Sequence, residues 1–145
     1  MASGIPPSGS FTGLARKVIE YGETFEALVA KARQGLTDAD WQEIERLVDV
    51  GNFERVGRFL TEQTETIDWP TYKSIITQFG GHTDWDGKLR RITEGDGVVI
   101  QELQEYNTRD GVTDIANTVT VFEFSDAGLI DHLDVYVAPL GERRA

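Results

Sequence analysis

Strand-like segments are confined to the second half of the chain, and this asymmetry constrains the fold more than any other feature. Alternating residue character between Gly- and Asp-containing turns predicts four strands, at 85–93, 98–108, 114–124 and 129–138. The turns have the composition of β-hairpins, so neighbouring strands are expected to run antiparallel. Helical patterns followed by an antiparallel meander predict an α+β fold rather than a parallel α/β sheet.

The first half of the chain is predicted to be mostly helical. Apolar residues recur at three- and four-residue spacing over 10–34, which predicts a long first helix. The Thr and Asp residues at 37–40 are typical of a helix start, and the second helix is expected to end at Gly51.

Two further helices are predicted on either side of a short strand. Asn52 is expected to cap a short third helix, because apolar residues follow at helical spacing from 53 to 60. Residues 64–68 are predicted to form a strand. The sequence Asp68-Trp-Pro70 then provides the cap and the first-turn proline of a fourth helix. A curved sheet wrapped around these helices would leave a concave, apolar mouth where a small ligand binds.

Composition narrows the function classes. A chain of 145 residues is expected to form one domain, over 10–140, after a flexible Gly-, Pro- and Ser-rich stretch at 1–9. The net charge of −11 disfavours nucleic acid and anionic membranes as partners. The chain has no Cys and only two distant His residues, so no metal and no other cofactor is predicted. The N-terminus lacks the pattern of a signal peptide, and a cytoplasmic location is expected.

Three segments carry a resemblance to a known superfamily. They are Leu47-Val-Asp-Val-Gly-Asn-Phe-Glu54, Ile67-Asp-Trp-Pro70 and the hairpin from Phe122 to Ile130 that runs on to Tyr136. The chain over roughly 41–138 resembles the ketosteroid-isomerase-like, or nuclear-transport-factor-2-like (SnoaL-like), superfamily, with the helix at 10–34 as an addition. The resemblance implies a cone-shaped, curved antiparallel sheet around three to four N-terminal helices. It also implies a homodimer, through the outer sheet face that carries Ile130, His132, Asp134 and Tyr136.

The catalytic residues of ketosteroid isomerases transfer poorly to this chain. By the resemblance, their Tyr falls at Ile44, their protonated Asp at Thr120, and their base at Asp68 or Trp69. Because at least two of the three roles are missing, ordinary ketosteroid isomerisation is not predicted.

The catalytic residues of epoxide hydrolases and SnoaL-like cyclases of the same superfamily are only partly present in this chain. Glu105 matches one acid of the Asp–Arg–Asp set that limonene-type epoxide hydrolases use. Leu103 stands where the Arg is expected, and Val135 where the second Asp is expected. The same Val135 replaces the acid of the cyclases.

Three residues are candidates for proton transfer. Glu105 is predicted to face the inside of the cone, where an acid loses hydration and becomes usable as a general acid or base; alternatively, it lies solvated near the mouth or pairs with Arg90, Arg91 or Arg109. Asp68 either acts as a base or simply caps a helix. His82 is either a proton shuttle or a loop residue that bonds the backbone.

Strand alternation also predicts which side chains would contact a ligand inside the cone. Gln101, Asn107 and Thr120 are expected to orient it, and apolar residues to line the site. The predicted substrate-binding set is Trp69, Gln101, Leu103, Asn107, Thr118, Thr120, Phe122, Leu133 and Val135.

These observations and the resemblance point to a cofactor-free enzyme that acts on a small apolar, polycyclic or aromatic molecule. The reaction would be an isomerisation, dehydration, cyclisation or epoxide opening, carried out by general acid–base chemistry. The alternative is a non-catalytic domain that binds a hydrophobic ligand or assembles with protein. The missing Tyr, Arg and second Asp favour this alternative.

Overall fold

A computed structural model describes residues 4–59 and 61–144 of the chain. Its helices are α1 (Gly13–Lys31), α2 (Asp38–Glu45) and α3 (Trp69–Phe79), with short 3₁₀ turns at 8–10, 32–34 and 80–82. Its strands are β1 (Glu54–Gly57), β2 (Glu65–Asp68), β3 (Asp84–Gly95), β4 (Val98–Arg109), β5 (Val112–Phe124) and β6 (Ile130–Arg144). The predicted α+β class is confirmed.

The six strands form one curved, open sheet in the order β2-β1-β6-β5-β4-β3. The four long strands make the predicted antiparallel meander. The sheet is nevertheless mixed, which the prediction of an antiparallel sheet missed, because β1 pairs parallel to β6. This pairing joins strands that lie far apart in sequence, so no local pattern indicates it.

The predicted third helix is wrong. Residues 54–57 form β1, which pairs with β2 on one side and β6 on the other. Phe53, Arg55 and Gly57 are buried at the two-residue spacing of a strand, so the helical spacing of the apolar residues was misleading. Leu60, at the end of the predicted helix, lies outside the described residues.

The helix α1 is part of the core and covers the inner face of the sheet. Its Val18, Tyr21 and Leu28 are buried in the same cluster as residues of α2, α3 and the sheet. The Tyr21 ring meets the Phe122 ring of β5 edge-on, with 5.9 Å between centroids. Ahead of α1, part of the stretch predicted to be flexible also contacts the sheet, since Gly4 accepts a backbone hydrogen bond from Leu89; residues 1–3 lie outside the described part.

Ile130 faces the core, although strand alternation predicted it on the outer face with His132. The pairing of β5 with β6 shifts between Glu123 and Phe124, so one extra residue separates Ile130 from His132. The backbone of Ile130 also bonds that of Leu47 and Asp49, at 2.9 Å each. As a result, the Ile130 side chain is fully buried.

Replacing Ile130 with Ala is expected to lower the free energy of unfolding by about 2–5 kcal/mol, because the change opens a cavity in the core. Urea denaturation measures this loss in the free energy of unfolding. The control Ile100→Ala changes an isoleucine that is 37 % exposed on the neighbouring part of the sheet and should cost less than about 1 kcal/mol. Equal losses in both variants would contradict the inward orientation.

Within the described residues, no helix has both the length and the apolar character needed to cross a membrane.

Candidate functional site

The sheet register brings most of the predicted substrate-binding residues to one face. Gln101 lies opposite Thr120, and Leu103 opposite Thr118, on β4 and β5. On the other side of β5, Phe122 pairs with Leu133 and Thr120 with Val135. Side chains of directly opposed residues point to the same side of a sheet, so these residues share the inner face that α1 covers.

Glu105 lies on the same face, where the Trp85 indole holds it in place. The indole Nε1 donates a hydrogen bond to the Glu105 carboxylate at 2.6 Å. The indole lies against Gly87, where an added Cβ would come within 2.7 Å of the ring. The carboxylate forms no other hydrogen bond or ion pair with a described residue. Its position is therefore set by one donor.

Two of the three Arg residues that were considered as ion-pair partners of Glu105 bond to other groups. Arg91 pairs with Glu102 on the outer face at 2.8 Å. Arg109 donates to the Thr83 hydroxyl at 3.0 Å. The alternative interpretation of Glu105 as one half of a surface ion pair is thus not what the structure contains.

Arg55 is the residue that sequence reasoning missed. It is 7 % exposed, and in the register of β1 it lies beside the buried Ile67 and Leu133. Its Nη1 and Nη2 donate to the backbone oxygen of Arg58 at 3.3 and 3.4 Å. The guanidinium also lies over the Phe59 ring, 4.5 Å from the centroid. The only signal was its two-residue spacing from Phe53 and Gly57, which the helix prediction hid.

Two buried tyrosines belong to this region: the Arg55 guanidinium lies 5.9 Å from the centroid of the Tyr72 ring, and Tyr21 is in the same core cluster. Burial raises the pKa of the Tyr21 phenol well above its ordinary value; the Tyr72 phenol raises it further, and the charge of Arg55 lowers it. Burial also raises the pKa of Tyr72, which Arg55 lowers and the charge of Glu105 raises. Both phenols therefore stay protonated at neutral pH. We call Tyr21, Arg55, Tyr72 and Glu105 the inner polar cluster.

Aromatic rings surround this cluster. Phe25 stacks between Tyr21 and Tyr72, with centroid distances of 6.1 and 5.7 Å. The centroid of the Phe59 ring lies 5.5 Å from that of Tyr72, and the Phe122 ring packs edge-on against Tyr21. The polar groups are thus held among flat apolar surfaces, as in many small-molecule sites.

Two of the predicted catalytic residues lie apart from Glu105. Asp68 is exposed and caps α3, accepting from the Thr71 backbone N–H at 2.9 Å. Hydrogen bonds from Thr71 lower the pKa of this carboxyl. His82 is exposed in the 3₁₀ turn after α3. The structure therefore brings neither residue to the inner polar cluster, and Asp68 has the capping role that was considered as its alternative.

Of the two remaining predicted ligand contacts, Trp69 has other surroundings, whereas Asn107 lies on the same face of β4 as Glu105. Trp69 is 2 % exposed, and its Nε1 donates to Glu45 at 2.8 Å. It packs edge-on against Trp41 and Phe53, so it belongs to the packing between helices and β1. Asn107 is partly buried opposite Trp85, two residues beyond Glu105 on β4.

An open groove of about 360 Å³ lies between α2 and α3. Its lining includes Leu36, Trp41, Pro70 and Lys73, and no member of the inner polar cluster. The charged residues in its lining are Asp38 and Lys73.

The outer face carries a cluster around His132. Its Nε2 lies 2.8 Å from Asp134 and 3.8 Å from Glu123, and its Nδ1 lies 3.8 Å from Glu54. Partial burial acts to lower the pKa of His132, but the hydrogen bond with Asp134 and the three carboxylates outweigh it and raise the pKa. Glu123, His132 and Asp134 are also the described residues whose ligand atoms are close enough to share a metal ion.

The similarity of this chain to known proteins lies in its fold. No protein-family model and no curated protein matches the sequence. Among solved structures, a Δ5-3-ketosteroid isomerase from Mycobacterium sp. superposes with a TM-score of 0.60 at 13 % identity, over 85 % of this chain and 98 % of that one. An epoxide hydrolase of M. tuberculosis described as LEH-like gives 0.54 at 16 %, over 82 % and 83 %.

An NTF2-like protein of unknown function from Exiguobacterium superposes with a TM-score of 0.58 at 11 % identity, over 81 % of this chain and 98 % of that one. These likenesses confirm the fold expected from the resemblance. The chain has the fold of the NTF2-like, or ketosteroid-isomerase-like, superfamily.

The stability that His132 contributes is expected to depend on pH. Because its pKa is raised in the folded state, this contribution is complete below the unfolded pKa and is lost as pH rises through the folded value. The variant His132→Gln should therefore lower the urea midpoint more at about pH 6 than at about pH 9.

The matched control is His82→Gln, which removes the exposed histidine of the turn after α3. If His132→Gln shifts the midpoint equally at both pH values, the carboxylates around His132 do not favour its charged form, and the prediction is wrong.

Proposed function

We propose that the chain binds a small, largely apolar, aromatic or polycyclic molecule on the inner face and transfers a proton to or from it without a cofactor. The observation that carries this proposal is the position of Glu105. Its carboxylate is partly buried on the inner face and is held by the Trp85 indole at 2.6 Å. A partly buried carboxylate that a hydrogen bond fixes in one place has the properties of a general acid or base.

The surroundings of Glu105 support the assignment of roles. Leu103, Phe122 and Leu133 provide an apolar surface for the body of the ligand. Gln101 and Thr118 are almost fully buried on the same face, where they offer hydrogen bonds that orient it. Glu105 takes a proton from the bound molecule or returns one, and the neutral Tyr72 donates to an oxygen on which charge develops.

This chemistry is common to isomerisation, dehydration, cyclisation and epoxide opening. A ketosteroid isomerase and an epoxide hydrolase are among the proteins of similar fold, which is compatible with the proposal. Fold alone does not carry function, and the identities are low, so the proposal depends on Glu105 and its neighbours.

A second candidate is a binding or assembly domain without catalysis. It is favoured by Leu103 and Val135, which are apolar on the inner face where the resemblance places an Arg and an Asp. The outer face supports an assembly role through a homodimer, because Ile100 and Tyr136 are 37 % and 60 % exposed there.

A native mass spectrum of the purified protein, which also reports a dimer, tests whether a ligand is retained. A thermal-shift screen against steroids, polyketides, terpenoid epoxides and lignin-type aromatics then identifies the class that stabilises the fold. We expect one class to raise the melting temperature. No retained ligand and no shift with any class would overturn the proposal that the inner face binds a small molecule.

For the class that binds, Glu105→Gln is expected to reduce kcat by about 10²–10⁴-fold, since it removes the proton acceptor, while Kd changes little. The control Glu102→Gln removes a carboxylate from the outer face of the same strand and should leave kcat unchanged. Asp68→Asn should likewise retain turnover. Binding without turnover in the wild type would favour the second candidate.

A further inference from the structure

We infer that the ligand of the inner face carries an anionic oxygen group, a carboxylate in the simplest case, and that Arg55 binds it with the hydroxyl of Tyr21. This inference rests on the proposed function, because it names the chemical class of molecule that the same site would take. It is based on two buried hydrogen-bond donors that have few or no acceptors among the described residues.

The first donor is the Arg55 guanidinium. Burying a cation is unfavourable unless a negative group or enough acceptors compensate it. Arg55 is 7 % exposed, yet it forms no ion pair with a described carboxylate. Of its five N–H donors, two share the single Arg58 oxygen at the long distances of 3.3 and 3.4 Å. The described residues therefore supply few acceptors for the guanidinium.

The second donor is the Tyr21 hydroxyl. It is buried, and it has no hydrogen-bond partner among the described residues. Buried polar groups are rarely left in this state, so an unpaired hydroxyl calls for a partner from outside the chain. Phe25 stacks between Tyr21 and Tyr72, and the Arg55 guanidinium lies 5.9 Å from the centroid of the Tyr72 ring. The two unused donors thus belong to the same part of the interior.

These donors select the charge of the ligand. The guanidinium has donors only, the phenol can donate its O–H, and a guanidinium matches the two oxygens of a carboxylate in geometry and charge. Phe25 and Phe59 frame the donors with flat apolar surfaces, which fit an aromatic or conjugated body behind the anionic group. Glu105 is the negative member of the cluster, so the anionic group binds at the Arg55 end and the body extends toward Glu105.

The division of roles that results is chemically consistent. The Arg55 end binds the charged group in both substrate and product, and Glu105 handles the proton. The net charge of −11 repels anions at long range. Selection of an anionic ligand must then come from these local donors, which makes the inference sensitive to single substitutions.

The test compares matched acids and amides of increasing size, from benzoate and benzamide to 2-naphthoate and 2-naphthamide and their three- and four-ring analogues. Calorimetric titration at neutral pH measures Kd for each member of a pair. In the wild type, we expect the best-fitting acid to bind at least about tenfold more tightly than its amide.

The variants locate this preference. Arg55→Gln should abolish it, and Tyr21→Phe should reduce it several-fold while keeping the ring. Two controls should leave it unchanged: Arg58→Gln, an exposed Arg three residues away, and Tyr136→Phe, a phenol 60 % exposed on the outer face. If Arg55→Gln does not fold, the wild-type pairs and Tyr21→Phe still decide.

The outcomes separate this inference from the proposed function. If acid and amide bind equally well, or if the preference persists in both Arg55→Gln and Tyr21→Phe, the inference is overturned while the inner face remains a binding site. If no member of any pair binds, the proposed function fails and the inference with it.

Discussion

The structure depends on covering the inner face of a curved sheet with helices, and aromatic rings connect the helices to the sheet and to one another. Tyr21 of α1 meets Phe122 of β5, while Phe25 of the same helix stacks on Tyr72 of α3. Trp69 extends the contacts to Phe53 beside β1. Large rigid rings bury much surface at little entropic cost, and their edges tolerate polar neighbours. The same layer therefore forms the core and covers the inner face of the sheet.

Within this layer, the buried polar groups differ in how completely they are paired. The Trp69 indole donates a hydrogen bond to Glu45, and the Trp85 indole donates one to Glu105. By contrast, Arg55 forms two long hydrogen bonds to one backbone oxygen, and the Tyr21 hydroxyl has no hydrogen-bond partner among the described residues. Because unpaired buried donors destabilise a fold, such groups are expected where a ligand completes them. This contrast supports a functional site at Arg55 and Tyr21 rather than at Trp69.

Much of the site could be predicted from sequence because strand alternation is a local property. The hairpin turns set the register of β4 with β5, so the common face of Gln101, Glu105 and Phe122 followed from counting residues. Asp68 was harder, because one residue type suits both a catalytic base and a helix cap; its exposure decides for the cap. Arg55 was missed, since its two-residue spacing from Phe53 and Gly57 was hidden by the helical spacing of the apolar residues around it.

The sequence by itself determined the class of fold, the four long strands, α1 and the cap of α3, because periodicity, turns and caps act between near neighbours. The tertiary structure alone decided the rest. Residues 54–57 became a strand because β2 and β6 both pair with them, and Ile130 turned inward because a bulge adds a residue to β6. Both outcomes, like the burial of Arg55, come from contacts between segments far apart in sequence, whose energies no local pattern contains.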